Sequence, residues 1–307
     1  MQALLIDSSI YIFRSYFTLP EKWHAQDNGY PTQAVYGFTQ FLLDLLKTQS
    51  PQFIFCAFDE SLKTGFRHRL SVNYKANREL PDPALAFQLN ACRQMCRTLG
   101  IREMASTDFE ADDLIASVAT KIRASDVQPV VVSRDKDLMQ IIKAHDLYWD
   151  FGQSTVKNQA QLEEKLSIRC EQMADYLALV GDNSDSISGV PGIGAKTAIQ
   201  LLEHFSSIDE IIANAGQIGS LPIRGAVKIG AKVAEYSEQI KLSRQLASIV
   251  ENIDTVPSCN EISWKGIHNN GFTLLCEEMG FADSFTYRAN QLKQRSLNAY
   301  TKQTTGC

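Results

Sequence analysis

Residues 1–9 read MQALLIDSS, and residues 51–60 read PQFIFCAFDE. Each stretch holds a short apolar run that an aspartate follows at once, Asp7 in the first and Asp59 in the second. Strands that are apolar at nearly every position are typical of a parallel sheet with helices on both faces. In such a sheet, ligands bind at the carboxyl ends of the strands. We therefore expect the two aspartates to lie at that edge.

Strand-like and helix-like segments alternate through the first half of the chain. The strand-like runs are residues 3–6, 53–58, 129–132 and 147–149. Helical periodicity is found at residues 32–47, 83–99, 110–122 and 137–144. Further helices, without intervening strands, are predicted at residues 170–180, 195–205, 208–213 and 227–247. This order predicts an α/β domain over residues 1–168, a helical region over 169–290 and a disordered tail over 291–307.

The composition is that of a folded protein with ordinary proportions of apolar and charged residues. Of 307 residues, 44% are hydrophobic and 21% charged, and the formal net charge is −5. No apolar run approaches the roughly 18 to 20 residues of a membrane span, and the N-terminus lacks a signal-peptide pattern. The seven cysteines form no CxxC pair, so neither a disulfide framework nor a zinc site is expected. We expect a cytoplasmic monomer with no membrane association and no obligate protein partner.

Nine carboxylates are grouped along the chain. They are Asp7, Asp59, Glu110, Asp112, Asp113, Asp135, Asp137, Asp182 and Asp185. Each alone has an ordinary explanation, because acidic residues favour the first turn of a helix and aspartate is common in turns. Several carboxylates at one sheet edge, however, repel one another unless cations neutralise them. Oxygen ligands without histidine or cysteine suit hard cations such as Mg²⁺ or Mn²⁺.

A pair of such ions is typical of enzymes that cleave phosphodiesters, because the ions activate a water and stabilise the leaving oxygen. Setting the nine carboxylates aside leaves 26 acidic residues against 30 basic ones. The acidic total therefore does not exclude a nucleic-acid partner. A single structural metal site is the alternative interpretation of the cluster.

The segment after the second strand is rich in basic residues with interleaved aromatic ones. Residues 60–78 read ESLKTGFRHRLSVNYKANR. Cations that follow phosphates and rings that stack on bases are typical of proteins that bind single-stranded nucleic acid. Arg14 and Tyr16, shortly after Asp7, are predicted to reach the reacting phosphate or a base. A solvated basic face on an ordinary helix is the alternative.

Residues 189–198 read GVPGIGAKTA and predict a tight glycine hairpin that leads into a helix. The first N–H groups of a helix have no partner within it and bind phosphates without reading bases. Lys196 and Thr197 are placed for such backbone contacts. A glycine-rich helix cap is the alternative interpretation.

In combination, these motifs resemble the bacterial 5′–3′ exonuclease/flap endonuclease family, which includes the N-terminal nuclease domain of DNA polymerase I. The matching motifs are LLIDSS, AFDES, FRHRLSVNYKANR, FEADDLIAS, VVSRDKDLMQ and GDNSDSISGVPGIGAKTA. They occur in the family's order over about residues 1–290, and the resemblance implies a stand-alone member. It also implies a PIN-like parallel sheet flanked by helices, with a helical arch over about residues 60–90. A helix–three-turn–helix (helix–hairpin–helix) DNA-binding region would follow over about residues 176–215.

The resemblance implies roles for individual residues. A first divalent ion, Mg²⁺ or Mn²⁺, would be served mainly by Asp7, Asp59, Glu110, Asp112 and Asp113. A second would be completed by Asp135, Asp137, Asp182 and Asp185. The basic residues expected at the scissile phosphate are Lys75 and Arg78, joined by Arg14. The expected DNA contacts are Arg67, Tyr74, Gly192, Gly194, Lys196 and Thr197. Backbone carbonyls that would bind K⁺ are those of Ser188, Val190 and Ile193.

The sequence departs from the family pattern at a few positions. Arg134 stands where a glycine usually precedes Asp135, so it would either contact the substrate phosphate or crowd the second ion. Ser186 and Ser188 replace the usual Asn and Pro before the hairpin, which keeps its glycines.

The expected activity is hydrolysis of DNA from the 5′ side, near junctions of single- and double-stranded DNA, in primer removal or repair. The products would carry 5′-phosphates. The alternatives are a non-catalytic or weakly active flap-DNA binding module, an RNA-cleaving relative and a small-molecule phosphatase.

Overall fold

A single sheet forms the centre of the α/β domain. The computed structural model describes residues 1–60, 63–153, 155–281, 283 and 285–292. Within them the strands are β1 (Gln2–Asp7), β2 (Phe53–Asp59), β3 (Arg102–Ser106), β4 (Gln128–Val132), β5 (Leu147–Trp149) and β6 (Lys157–Asn158). The order across the sheet is β3-β2-β1-β4-β5-β6, and all neighbours are parallel except β5 and β6. The predicted tail lies outside the described residues from residue 293 onward.

Helices cover both faces of this sheet. One face packs against α1 (Ser8–Thr18), α2 (Gln33–Gln49), α4 (Pro83–Thr98) and α12 (Asn269–Glu278). The other packs against α5 (Ala111–Arg123), α6 (Gln159–Leu166) and α7 (Met173–Val180). Alternate residues of a strand point to opposite faces, so Leu4 and Ile6 enter the first layer while Leu5 enters the second. Burial on both faces explains why the central strands are apolar throughout.

The second half of the described chain is helical, as predicted. After α7 come α8 (Ala195–His204), α9 (Ile208–Ala213), α10 (Ala226–Glu235) and α11 (Ser237–Ala247). The chain then returns to the α/β domain, where Phe272 of α12 is fully buried and the Trp264 indole N–H donates to the Leu99 carbonyl at 2.8 Å. No described helix combines the length and apolarity that crossing a bilayer requires.

Several elements differ from the sequence prediction. Strands β3 and β6 and helices α1, α6 and α12 were not predicted, and residues 227–247 form two helices that meet at Tyr236. Strand β3, with the sequence REMAS, is an edge strand whose residues are only partly buried, so it lacks an apolar run. The predicted helix at residues 137–144 is a short 3-10 helix, Asp137–Ile141.

The predicted helical arch is mostly irregular where it is described. Its one helix before α4 is α3 (Phe66–Leu70), and turns follow as far as residue 77. The Lys75 backbone is left-handed, with φ 49°, and its N–H donates to the Asp185 carbonyl at 3.0 Å. Residues 63–82 are rich in basic side chains and lie across the carboxyl edge of the sheet. We refer to them as the basic strap.

Candidate metal and nucleic-acid site

Asp7 lies at the point where the strand order of the sheet reverses. It is the last residue of β1, which pairs with β2 on one side and β4 on the other. The side chain is 4% exposed, and the Ser133 hydroxyl, just after β4, donates to Asp7 Oδ2 at 2.8 Å. Open α/β sheets bind ligands at such a reversal. Asp7 is thus fixed at the position where the fold favours a ligand.

Asp59 connects the end of β2 to two helices. Its Oδ1 accepts the Ala111 N–H of α5 at 2.9 Å, and its Oδ2 accepts the Ser9 hydroxyl of α1 at 2.8 Å. Helix α5 starts with a capping box in which the Asp113 side chain accepts the Glu110 N–H at 3.0 Å. This start places Asp112 in the first turn of α5, close to the carboxylates that end the strands.

The carboxylates at this edge raise one another's pKa. Burial raises the pKa of Asp7 to about 7, and the charges of Asp59 and Asp135 act in the same direction. Burial and the charges of Asp7, Asp135 and Asp59 hold the pKa of Asp112 well above its usual range. Burial and the Asp135 charge raise the pKa of Asp137 to about 7. Burial is the first cause of these shifts and repulsion between neighbouring carboxylates the second, and a cation bound at this edge would oppose both.

Basic side chains of the protein neutralise the outer part of the cluster. Lys75 Nζ lies 2.8 Å from Glu110 Oε2 and 3.6 Å from Asp185 Oδ2. Arg78 Nη2 lies 2.7 Å from Asp185 Oδ1. Lys136 Nζ lies 3.5 Å from Asp182 Oδ2. The basic strap thus contacts the carboxylates directly, and Lys75 and Arg78 lie within the predicted site.

The donor set fits hard divalent cations by its chemistry. In this conformation, no three Asp, Glu, His or Cys side chains of the described residues are arranged to hold one ion. Lys75 and Arg78 donate hydrogen bonds to oxygens of Glu110 and Asp185. The group nevertheless offers oxygen donors alone, and its carboxylates outnumber the basic side chains that pair with them.

Asp113 differs from the other predicted metal ligands, and its assignment as a ligand is corrected. The side chain is fully buried, and its two oxygens accept Arg67 Nη1 at 2.7 Å and Nη2 at 2.8 Å. They also accept the N–H groups of Glu110 and Val250, at 3.0 and 2.9 Å. With both oxygens occupied in this way, Asp113 joins the basic strap, α5 and the segment after α11.

The predicted DNA contacts Arg67 and Tyr74 are likewise corrected. Arg67 is 4% exposed, and besides Asp113 it donates to the carbonyls of Leu246 and Ser248. Tyr74 is 2% exposed, and its hydroxyl donates to Glu110 Oε2 at 3.0 Å. Neither side chain is accessible to a phosphate or a base, because both anchor the strap to the sheet edge.

A cavity of about 440 Å³ adjoins the carboxylates between α1 and the basic strap. Its walls include Phe13, Tyr16 and Phe17, and Asp59 and Glu110 also line it. Phe17 is 77% exposed, and its ring packs edge-on against that of Tyr16 at 5.1 Å. Phe13 and Phe17 were not predicted as site residues, although the sequence has these two aromatic residues four apart shortly after Asp7.

Arg14 and Arg134 face the same loop. A Cβ built on Gly152 would lie 3.5 Å from Arg14 Nη1 and 3.6 Å from Asp150 Oδ1. The guanidinium therefore lies beside the loop between β5 and β6. Arg134 also faces this loop, with its Nε 3.2 Å from Asp150 Oδ2. Both guanidinium groups thus lie beside the loop between β5 and β6, and the catalytic role of Arg14 stays a prediction.

The glycine hairpin adopts the predicted form between α7 and α8. Gly192 has φ 85°, a left-handed conformation that favours glycine, and Gly194 is the N-cap of α8. Gly192, Gly194 and Lys196 are exposed, and Thr197 is partly buried. The Lys232 ammonium donates to the Pro191 carbonyl and thereby joins α10 to the hairpin.

The predicted potassium ligands are partly occupied by protein donors. The Ser188 carbonyl accepts Gln239 Nε2 at 2.9 Å and the Ser243 hydroxyl at 2.7 Å. A carbonyl oxygen has two lone pairs, so the assignment of Ser188 as a K⁺ ligand is corrected. The Val190 carbonyl accepts the Ile193 N–H at 2.9 Å, and both of these residues are buried.

Two family models together match most of the chain. Residues 2–167 match the model of the 5′-3′ exonuclease N-terminal resolvase-like domain. Residues 168–270 match the model of the 5′-3′ exonuclease C-terminal SAM fold. The predicted family and fold class are thereby confirmed.

Curated relatives agree with this match. A 5′-3′ exonuclease of Buchnera aphidicola subsp. Schizaphis graminum (strain Sg) is 34% identical over 263 residues, covering 85% of this chain and 91% of the relative. A 5′-3′ exonuclease of Aquifex aeolicus (strain VF5) is 34% identical over 68% of this chain and 72% of its own length. DNA polymerase I of Bacillus caldotenax is 31% identical over 91% of this chain, which spans 31% of that polymerase.

Solved structures share the fold at low sequence identity. T5 5′-exonuclease with bound divalent metal ions (zinc) has a TM-score of 0.63 at 18% identity, over 96% of this chain and 99% of that chain. Human GEN1 in complex with Holliday junction DNA has a TM-score of 0.63 at 12% identity, over 95% of this chain and 71% of that chain. These solved structures show the fold alone. The family models and the Buchnera and Aquifex relatives also show the family: the chain belongs to the 5′-3′ exonuclease family.

Proposed function

We propose that this chain hydrolyses DNA phosphodiesters from the 5′ side, at or near junctions of single- and double-stranded DNA. The observation that carries the proposal is the meeting of buried carboxylates with a basic strap at the reversal point of the sheet. The carboxylates all come from one chain, which supports a monomer as the acting unit. Primer removal and repair are the processes that such an activity serves.

The proposed ions are two Mg²⁺ or Mn²⁺, held by Asp7, Asp59, Glu110, Asp112, Asp135, Asp137, Asp182 and Asp185. When bound, they would activate water and stabilise the leaving oxygen of the phosphodiester. No covalent intermediate with the protein is required.

Lys75 and Arg78 act on the phosphate itself. In the structure they pair with Glu110 and Asp185. If Glu110 and Asp185 held metal ions, Lys75 and Arg78 would be free to pair with the scissile phosphate. Preorganised cations of this kind stabilise charge that develops in the transition state. Lys75 and Arg78 would therefore pair with carboxylates in the free protein and with the scissile phosphate in the DNA complex.

The cavity beside α1 suits the 5′ strand. Phe13, Tyr16 and Phe17 supply rings for stacking on bases, and stacking on aromatic side chains is tolerant of sequence. The glycine hairpin and the N-terminus of α8 suit the backbone of the duplex, with Lys196 exposed beside them. We keep K⁺ at the hairpin as a proposal through the Val190 and Ile193 carbonyls only, because protein donors saturate that of Ser188.

The test uses a 5′-flap DNA labelled at the 3′ end of the flap strand, incubated with Mg²⁺, with Mn²⁺ and with EDTA. We expect metal-dependent cuts near the junction, with 5′-phosphate ends on the labelled products. Binding without cuts under either metal would favour the non-catalytic module. Faster cleavage of an all-RNA flap would favour an RNA-cleaving relative, and hydrolysis of a small phosphate ester alone would favour a phosphatase.

Replacing Lys196 with alanine should weaken binding of duplex-containing DNA without altering the cleavage position. One lost phosphate contact lowers the slope of log K against log[salt] by about 1, irrespective of base sequence. Fluorescence anisotropy in EDTA at several salt concentrations measures this slope. Lys265→Ala, which removes the same charge from the segment before α12, serves as the control and should keep the wild-type slope. An unchanged slope for Lys196→Ala would remove the hairpin from the DNA-binding surface.

A further inference from the structure

A second cavity lies behind the carboxylates, on the β5 side of the sheet edge. Its volume is about 140 Å³, and its walls include Arg134, Met139, Tyr148, Asp150, Lys157 and Lys165. Water occupies about 30 Å³ per molecule in the liquid, so the cavity has room for a phosphate group with some of its hydration. None of these residues belongs to the proposed metal ligands.

Positive charge predominates in this cavity. Arg134, Lys157 and Lys165 contribute three cations against one carboxylate, that of Asp150. Asp150 also accepts the Gly152 N–H at 3.2 Å and Gln153 Nε2 at 3.0 Å, so it is bound within its own loop while it orients Arg134. A surplus of cations around a concave surface is suited to an anion.

A hydrogen bond to a backbone carbonyl and the chain itself connect the cavity to the carboxyl edge of the sheet. The Tyr148 hydroxyl, in the cavity wall, donates to the Asp135 carbonyl at 3.0 Å. Arg134 directly precedes Asp135 in the chain. The cavity therefore lies next to the carboxyl edge of the sheet.

We propose that the cavity formed by Arg134, Lys157 and Lys165 binds a backbone phosphate of the DNA, separate from the scissile phosphate. The inference rests on the proposed function, because it places part of the DNA substrate across β4 and β5. In this proposal Arg134 binds a DNA phosphate and does not crowd the second metal ion. The ligand chemistry is a phosphate anion, either an internal phosphodiester or a terminal 5′-phosphate.

The test measures DNA binding in EDTA, where no cleavage interferes. Fluorescence anisotropy with a 5′-flap DNA is recorded against salt concentration for wild type, Arg134→Ala and the double variant Lys157→Ala/Lys165→Ala. We expect the slope of log K against log[salt] to fall by about 1 for Arg134→Ala and by about 1 to 2 for the double variant. The double variant is needed because Arg134 adjoins Asp135, whereas Lys157 and Lys165 lie on β6 and α6.

The matched control is Lys47→Ala. Lys47 is exposed near the end of α2, shortly before β2 begins, so it lies at the opposite edge of the sheet. It should retain the wild-type slope. Slopes equal to wild type in both cavity variants would overturn the inference, as would a decrease confined to Arg134→Ala. An equal decrease in Lys47→Ala would also overturn it, because the effect would then be one of net charge.

A scan of single neutral methylphosphonates along the DNA identifies the phosphate. We expect one position that weakens wild-type binding and has no further effect in the double variant. Flaps with a 5′-phosphate and a 5′-hydroxyl distinguish a terminal from an internal phosphate. If wild-type protein cuts flap DNA while the scan is identical in all proteins, the inference fails and the proposed function stands. If wild-type protein binds no flap DNA, both fail.

Discussion

Asp7→Asn should reduce cleavage of flap DNA by about 10³-fold, the scale on which loss of one preorganised electrostatic group lowers catalytic rates. Asp7 is almost fully buried at the reversal point and is bound by the Ser133 hydroxyl, which an asparagine oxygen can also accept. The local geometry should therefore persist while the charge is lost. Single-turnover cleavage under saturating DNA measures the effect on the chemical step.

A second measurement separates lost chemistry from lost folding. Burial and the charges of Asp59 and Asp135 raise the pKa of Asp7, so ionised Asp7 is unfavourable in the absence of metal. Asp7→Asn should therefore unfold at an equal or higher temperature than wild type in EDTA. A ligand that binds the folded state raises its stability, so the increase that Mg²⁺ gives to the wild type should shrink in the variant. Asp27→Asn, at an exposed position between α1 and α2, should match the wild type in all three respects. Full cleavage by Asp7→Asn would exclude Asp7 from the metal site.

Arg67→Ala should lower the free energy of unfolding by about 3–5 kcal/mol, because it leaves the Asp113 carboxylate buried without its charged partner. The pair is bidentate, and both side chains are almost completely inaccessible to water. Arg67 also joins the basic strap to the carbonyls of Leu246 and Ser248. Urea unfolding followed by circular dichroism measures the change.

Arg69→Ala is the matched control on the same helix. Arg69 pairs with Asp108, but both side chains are largely exposed, and exposed pairs contribute less than about 1 kcal/mol. Equal small losses for the two variants, with weaker DNA binding by Arg67→Ala alone, would restore Arg67 as a DNA contact. Asp113→Ala should also lower the free energy of unfolding, because it removes the bidentate partner of Arg67 and the acceptor of the Glu110 and Val250 N–H groups.

The sequence predicted the position of the site because that position follows from local patterns. The apolar runs that end at Asp7 and Asp59 predict parallel strands, and a parallel sheet brings such ends to one edge. The hairpin before α8 was also predictable from local sequence, because Gly192 has the left-handed backbone conformation that glycine favours.

The burial of Arg67 and Tyr74 could not be predicted in this way. Several of their partners lie far along the chain, namely the carbonyls of Leu246 and Ser248 and the Asp185 carboxylate. The sequence of the basic strap alone therefore suggests that these side chains are exposed to solvent. The ion pair of Arg134 could not be predicted for the same reason. Its partner Asp150 follows β5 and becomes a neighbour only in the folded sheet. The edge strand β3 escaped prediction because partial burial does not require an apolar run.

The most direct test of the central claim is to count divalent ions and measure cleavage in the same protein. Mn²⁺ binding by titration calorimetry, with and without a non-cleavable flap DNA, is compared between wild type and the double variant Asp135→Ala/Asp182→Ala. We predict two ions in the wild-type complex, at most one in the double variant, and loss of flap cleavage by the variant. Full cleavage by the double variant, or an unchanged number of ions, would contradict the two-ion assignment.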